Sequence, residues 1–518
     1  MGSKDAEVMK EGIIMKKLMT LALAAAMMLG AATGASAIDF KAKGQWLMTF
    51  DYGKHGNFSG KQTGFGTGTD EFSAQQRVRL QLDAVASEAL SGTAFFEIGK
   101  TVWGKESEGG ALGADSNNVV KLKNAYIDWM VPQTDLKVRM GIQGLALPGY
   151  TMGNQVFFDD VAAVTLNYQF NENVGVTAFW ARPYNDNAGY ASWGNNPQDK
   201  YSNYMDNMDI FALLVPLTFD GVKATPWVMY SAIGSGTFNG RDANGRLERG
   251  NYDFYGTSGK YAAAGMVSGF GTGSLGSLYG NAIWAGLTGE VTLWDPFRIA
   301  WDFTYGSVAY DNETWNRQGW MASLLLEYKL DWATPGLYGW YSSGDDDDTG
   351  NGSERLPSIS TNNLNNGFSN FAFNGNPYNP RAEGVLSYNM SGTWGIGARL
   401  KDMSFLEDLK HTLYVNFIGG TNNTDMAAAV DRANIGGYGA AGFDPIYMTT
   451  EDYALEIGLS NSYKMYDNFT IFLDAAYIAL WMDDSHDVWG HNPMRNSQGR
   501  DTGVYDAWNV NLTFAYSF

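Results

Sequence analysis

Trp508-Asn-Val-Asn-Leu-Thr-Phe-Ala-Tyr-Ser-Phe518 alternates without a break. Trp508, Val510, Leu512, Phe514, Tyr516 and Phe518 are apolar or aromatic, while Asn509, Asn511, Thr513, Ala515 and Ser517 between them are small or polar. Successive side chains of a strand point to opposite faces, so this stretch is predicted to be a strand with one oily and one wet face. The pattern recurs along the chain. Trp46, Met48, Phe50 and Tyr52 interleave with Gln45, Thr49 and Asp51, and Val78, Leu80 and Leu82 with Arg77, Arg79, Gln81 and Asp83. Leu136, Val138, Met140 and Ile142 alternate with Lys137, Arg139 and Gln143, and Val164, Leu166, Tyr168 and Phe170 with Thr165, Asn167 and Gln169.

Two-faced strands also build soluble sandwiches, so the choice rests on two further features. One is export. Met15-Lys16-Lys17 opens an apolar run from Leu18 to Leu29, followed by small residues ending in Ala35-Ser36-Ala37. A basic start, a short apolar core and an A-x-A site read as a cleaved secretory signal over residues 15–37. Residues 1–14 carry mixed charge without pattern and read as an over-long start, with Met15 as the initiator. Beyond residue 37 no apolar run approaches the roughly 20 residues of a membrane helix. Helices and closed barrels alone satisfy every backbone group in lipid, so an exported chain with such strands is expected to form a barrel over residues 38–518.

The other feature is loop sorting. Short connections rich in turn formers fall near 87–92, 132–135, 171–173, 220–221, 295–296, 332–335 and 466–468. Long polar stretches lie between them, at 53–70, 104–119, 183–204, 233–280, 344–382, 421–450 and 482–503. A membrane barrel has tight periplasmic turns and long external loops, whereas a sandwich has no reason to sort loops by end. The expected fold is therefore all-β: a transmembrane antiparallel up-and-down β-barrel of 16–18 strands. Trp129, Trp180, Trp227, Trp294, Trp301, Trp332, Trp340, Trp481 and Trp508 fall near segment ends and are expected in its two aromatic girdles.

The totals agree. The 518 residues include no Cys, which excludes disulfides and thiolate metal sites. Mean hydropathy of -0.25 suits strands that are apolar only at alternate positions. The net charge of -20 is read as acidic, soluble external loops, and no basic stripe invites nucleic acid.

The leader, the alternating strands, the sorted loops and the ending Asn509-Val-Asn-Leu-Thr-Phe-Ala-Tyr-Ser-Phe518 resemble a Gram-negative outer-membrane porin. The texture is most similar to the outer membrane homotrimeric porins of Desulfovibrio-type bacteria, over residues 38–518. This resemblance implies a homotrimer of water-filled channels for passive diffusion of small hydrophilic solutes and ions. It also implies a setting of outer-membrane lipid and lipopolysaccharide, and no cofactor. Trp508, Val510, Leu512, Phe514, Tyr516 and Phe518 would be the signal read by the barrel-assembly machinery.

In porins the third external loop folds inward. Here the third long connection, Gly144 to Asp160, holds Leu145, Leu147, Tyr150, Val156, Phe157 and Phe158, too apolar a set for an exposed loop. Its charges are Asp159 and Asp160. Lys41, Lys43, Arg77, Arg79, Lys137 and Arg139 point inward by parity. These six cations and two carboxylates are expected either to set a transverse field at the constriction or to pair as lumenal salt bridges. Asp345, Asp346, Asp347 and Asp348 form a solvated acidic loop or a weak divalent-cation candidate, without the spaced ligand pattern of a calcium loop.

No catalytic grouping appears. His55, His411, His486 and His491 are dispersed, and Gly271-Thr-Gly-Ser-Leu-Gly276 lies in a Gly-rich loop without a preceding parallel strand. The readings kept beside diffusion are a substrate-specific outer-membrane channel and a structural or adhesive surface barrel.

Overall fold

The computed structural model describes residues 38–54, 71–113, 120–185, 207–233, 239–241, 247–249, 280–310, 316–348, 351–359, 368–373, 386, 390–426, 447–483, 485, 488 and 506–518. The expected leader, residues 1–37, lies outside them.

Eighteen wall strands close into one antiparallel barrel. The first six are β1 (Asp39–Lys54), β2 (Glu71–Ser87), β3 (Leu90–Val102), β4 (Val120–Met130), β5 (Lys137–Ala146) and β6 (Phe158–Gln169). Then come β7 (Gly175–Asn185), β8 in two pieces (Asn207–Leu214 and Leu217–Phe219), β9 (Val222–Ile233), β10 (Gly280–Val291), β11 (Phe297–Tyr310) and β12 (Arg317–Tyr328). The last six are β13 (Thr334–Ser342), β14 (Thr393–Leu406), β15 (Leu409–Gly420), β16 (Tyr453–Tyr466), β17 (Phe469–Trp481) and β18 (Ala507–Ser517). Pro216 breaks β8, where a proline cannot donate to the ladder. A small hairpin, Asn239–Arg241 with Leu247–Arg249, stands apart from the wall.

Each strand pairs with its neighbours in sequence, and β1 closes on β18, Thr49 opposite Thr513 and Asp51 opposite Asn511. The seam is stitched on its inner face. Thr49 and Thr513 share a hydroxyl hydrogen bond of 3.1 Å, and Asp51 accepts from the amides of Asn509 at 2.9 Å and Asn511 at 3.2 Å. The oily residues of the same strands, Trp46, Met48, Tyr52, Val510, Tyr516 and Phe518, stay exposed on the outer face, as a lipid belt requires. Among the described residues no helix is long and apolar enough to cross a membrane.

The turns at 88–89, 131–136, 170–174, 220–221, 292–296, 329–333, 407–408 and 467–468 share one rim, and the longer connections share the other. The turn between β14 and β15 at 407–408 is not among those the sequence predicts. Two bulges in β14 precede that turn and blur the period of two. The girdle expectation also needs correction at two positions. Trp227 and Trp340 are 4% exposed and face the lumen, whereas Trp129, Trp180, Trp294, Trp332 and Trp481 do face outward.

Candidate functional site

The lumen is not an empty bore. The connection between β5 and β6 turns inward as expected, and its hairpin closes where the Leu147 amide donates to the Phe157 carbonyl at 3.1 Å. Leu147, Met152, Val156 and Phe157 are buried in one apolar cluster with Phe179, Met208, Ile210, Trp227 and Met229 of the wall. The loop tip is fastened to β11. The amides of Tyr150 and Thr151 each donate to the Asp302 carboxylate at 2.8 Å, joined by the Thr151 hydroxyl. Arg298 Nη2 donates to the Tyr150 carbonyl at 2.9 Å.

A second loop also enters, and the sequence reading placed it outside. It joins β13 to β14, and the polar composition of 344–382 predicts an external stretch there. Phe368 stacks on the lumenal ring of Tyr338 at 4.2 Å, and Phe371, Ala372, Phe373, Leu386 and Met390 are buried. Glu456 on β16 holds this loop, accepting from Ser369 Oγ at 3.0 Å and from the amides of Phe371 and Ala372 at 3.2 and 3.1 Å. The two loops are bonded to each other. The Ile359 amide donates to the Val156 carbonyl at 2.8 Å, and the Met390 amide to Gln155 Oε1 at 3.2 Å. Trp284 Nε1 on β10 ties the same assembly to the wall through the Pro357 carbonyl at 2.8 Å.

Among the described residues, the charged side chains of the wall include three clusters. In the first, Arg79 donates to Glu97 at 3.0–3.1 Å, with Arg77 beside it. In the second, Asp128 takes a two-pronged bond from Arg139 at 2.7 and 2.8 Å and an ion pair from Lys137 at 3.2 Å, while the guanidinium lies 4.1 Å over the Tyr126 ring. The third runs Lys223–Glu290–Arg298–Glu327–Arg399 across six strands, with contacts of 3.0, 2.8, 2.8 and 2.7 Å. Its last link crosses β13 at Gly336, opposite both Glu327 and Arg399. A Cβ there would come within 3.2 Å of Glu327 Cγ, so the missing side chain lets the pair meet.

The register places Lys41, Lys43, Arg77, Arg79, Lys137 and Arg139 on the inner face, opposite Asp83, Gln81, Leu47, Gln45, Asn167 and Thr165. Lys41 and Lys43 sit exposed near the periplasmic rim, away from the loops, and Lys41 reaches Asp39 at 3.6 Å. Asp159 and Asp160 are not loop residues. They pair with Leu145 and Gly144 inside the β5–β6 ladder, because that ladder extends three residues further than the apolar pattern suggested. Asp160 binds Lys123 at 2.6 Å and Asn124 at 2.8 Å. The inward β5–β6 loop itself therefore carries no charge.

The acidic run is dispersed by its own fold. Asp345 is buried, accepting from Ser353 Oγ, the Glu354 amide at 3.2 Å and Tyr447 Oη at 2.7 Å. Asp346 accepts from the Asp348 amide at 2.9 Å and Asn351 Nδ2 at 3.1 Å. Among the described residues no three such groups converge as a metal site would require. Burial raises the Glu354 carboxyl above its ordinary range, the charges of Asp345 and Asp346 add to this, and the Asp346 amide opposes it. A carboxyl raised in the fold supports it at low pH and loses that support as pH rises through the folded value. Protection of the Asp346 and Glu354 amides, taken relative to the intrinsic base-catalysed exchange rate at each pH, should thus fall as pH rises from the acid range to neutrality, and Glu354→Gln should flatten the change.

No model of a known protein family matches the chain, and no curated protein matches its sequence. Among solved structures it is similar to Pseudomonas aeruginosa OccK9 (OpdG), with 8% identity and a TM-score of 0.50 over 93% of this chain and 98% of that one. It is also similar to OpdQ of the same organism, with 10% identity and a TM-score of 0.48 over 93% and 99%. A third is Pseudomonas aeruginosa OpdK with vanillate, with 9% identity and a TM-score of 0.48 over 92% and 98%. The match to OccK9 is one of fold along nearly the whole length. With its closed wall and apolar outer belt, the molecule is a multi-pass β-barrel of the bacterial outer membrane.

Proposed function

We propose that the chain is a selective outer-membrane channel for small polar solutes, rather than a general diffusion pore. One observation carries this reading: two inward loops, bonded to each other and to the wall, fill part of a lumen that would otherwise be wide. An 18-strand barrel leaves an aqueous channel that wall side chains alone cannot fill. Here Trp227, Trp284, Tyr338 and Trp340 join the loops in a dry cluster. Solute is left the wetter wall of β1–β6, past Arg79–Glu97 and Arg139–Asp128–Lys137, where fixed opposite charges orient polar groups. A homotrimer, which the sequence resemblance implies, belongs to the same proposal.

Liposome swelling tests the reading. The intact chain should pass small charged or hydroxylated solutes and exclude larger sugars of the same polarity. Equal rates for both would return it to the general pore, and no swelling at all would favour a structural or adhesive barrel.

The C-terminal strand enters as an assembly signal. Phe518 donates its amide to the Gly44 carbonyl at 3.1 Å and accepts from the Gly44 amide at 2.8 Å, so it closes the last rung of the seam. Its ring is exposed and stacks on Tyr516 at 5.9 Å. Phe518→Ser should leave most of the protein out of the outer-membrane fraction while a refolded sample still forms the barrel. Full membrane yield from that variant would remove the role.

A further inference from the structure

Each inward loop is anchored on one wall carboxylate besides its other ties, and among the described residues neither carboxylate is paired with a cation. Asp302 on β11 accepts from the Tyr150 amide, the Thr151 amide and the Thr151 hydroxyl. Glu456 on β16 accepts from Ser369 Oγ, the Phe371 and Ala372 amides, Tyr414 Oη at 3.1 Å and Asn416 Nδ2 at 2.8 Å. Every donor is neutral. In each case the loop offers mostly backbone amides, which any sequence would have, so the specificity of the anchor resides in the wall.

We propose that Asp302 and Glu456 are paired positioning residues that set one common aperture, a role that rests on the channel reading above. The coupling between them is explicit. A path of direct bonds leads from Asp302 to the Tyr150–Thr151 tip and along that loop to Gln155 and Val156. There Gln155 and Val156 bind Met390 and Ile359 of the second loop, and Ser369, Phe371 and Ala372 of that same loop bind Glu456. Releasing either anchor therefore loosens both loops. Accepting oxygens are what the loops meet at each point. A carboxylate offers two oxygens that only accept, and its bonds to amides are charge-assisted. Asparagine or glutamine of the same shape keeps one oxygen and turns an NH2 group toward donors, which repels the loop it should hold.

The test compares the wild-type barrel with Asp302→Asn, Glu456→Gln and the double variant, each checked for the folded, heat-modifiable form. Single-channel recording should show an upward shift in conductance for each single variant. The double variant should gain little over the larger single effect, because one coupled assembly is released only once. Hydrogen exchange supplies a second measurement. Asp302→Asn should speed exchange not only at Tyr150 and Thr151 but also at Phe371 and Ala372, five strands away. Wild-type conductance in both single variants overturns the proposal and leaves the channel reading standing. So does faster exchange confined to the mutated anchor's own loop. A wild-type barrel that folds but never conducts overturns both.

Discussion

Liposomes carrying a variant in which Pro148–Val156 is replaced by Asn-Gly should swell in sugars that the intact chain excludes. The replacement is designed around the observed ladder. Leu147 and Phe157 already face each other across a 3.1 Å amide bond, so a two-residue turn can close the β5–β6 hairpin there. What disappears is the loop tip: its three donors to Asp302, the Tyr150 carbonyl that receives Arg298, and the Gln155 oxygen that receives the Met390 amide. Conductance should rise on the order of twofold or more, since the wall of an 18-strand barrel encloses an aqueous channel once its filling is withdrawn. The variant also uncovers Phe179, Met208 and Ile210 to water, so some loss of heat stability accompanies the gain.

The second large effect is expected at Glu327, which is 8% exposed and sits between two guanidinium groups. Arg298 Nη1 reaches one of its oxygens at 2.8 Å, and Arg399 Nη2 reaches the other at 2.7 Å across the notch at Gly336. Glu327→Ala leaves Arg399, itself only 10% exposed at the side chain, without that carboxylate. Removing one partner from a buried ion pair costs on the order of 3 kcal/mol, because the remaining charge keeps its desolvation penalty. The barrel should therefore unfold at lower denaturant or temperature. The reversal potential in a salt gradient should also move toward anions, as one negative charge leaves the inner wall. Gly336→Leu offers a comparison that changes no charge: its side chain would separate Glu327 from Arg399, so it should cost stability with a smaller change in selectivity. An unchanged melting profile in Glu327→Ala would mean that the belt is solvated and contributes little.

The wall was legible in the sequence wherever one face of a strand is wet. Asn509, Asn511 and Thr513 against Val510, Leu512 and Phe514 fix the parity of β18, and Arg77, Arg79 and Gln81 do the same for β2. Legibility failed where both faces are apolar. On β9, Trp227 and Met229 face the dry cluster while Val228 and Tyr230 face lipid, and on β13 Tyr338 and Trp340 oppose Leu337 and Tyr341. Alternation carries no information there, so Trp227 and Trp340 read as girdle residues. The second inward loop was hidden by its composition, for its Gly, Ser and Asn outnumber the residues that anchor it. The test that found the first loop, a clustering of apolar side chains inside a polar stretch, would have found it too at Phe368-Ser-Asn-Phe371-Ala-Phe373. Asp302 and Glu456 gave no local signal. A single carboxylate on a wet face becomes an anchor only through loops remote in sequence.

Planar-bilayer recording of the refolded, heat-modifiable barrel tests the central claim, that two bonded inward loops narrow a conducting pore. The account predicts discrete current steps from the intact chain, and larger steps from the variant with the shortened β5–β6 loop. Equal steps from both would show that the loops do not narrow the path, and silence from both would show that the barrel is not a channel.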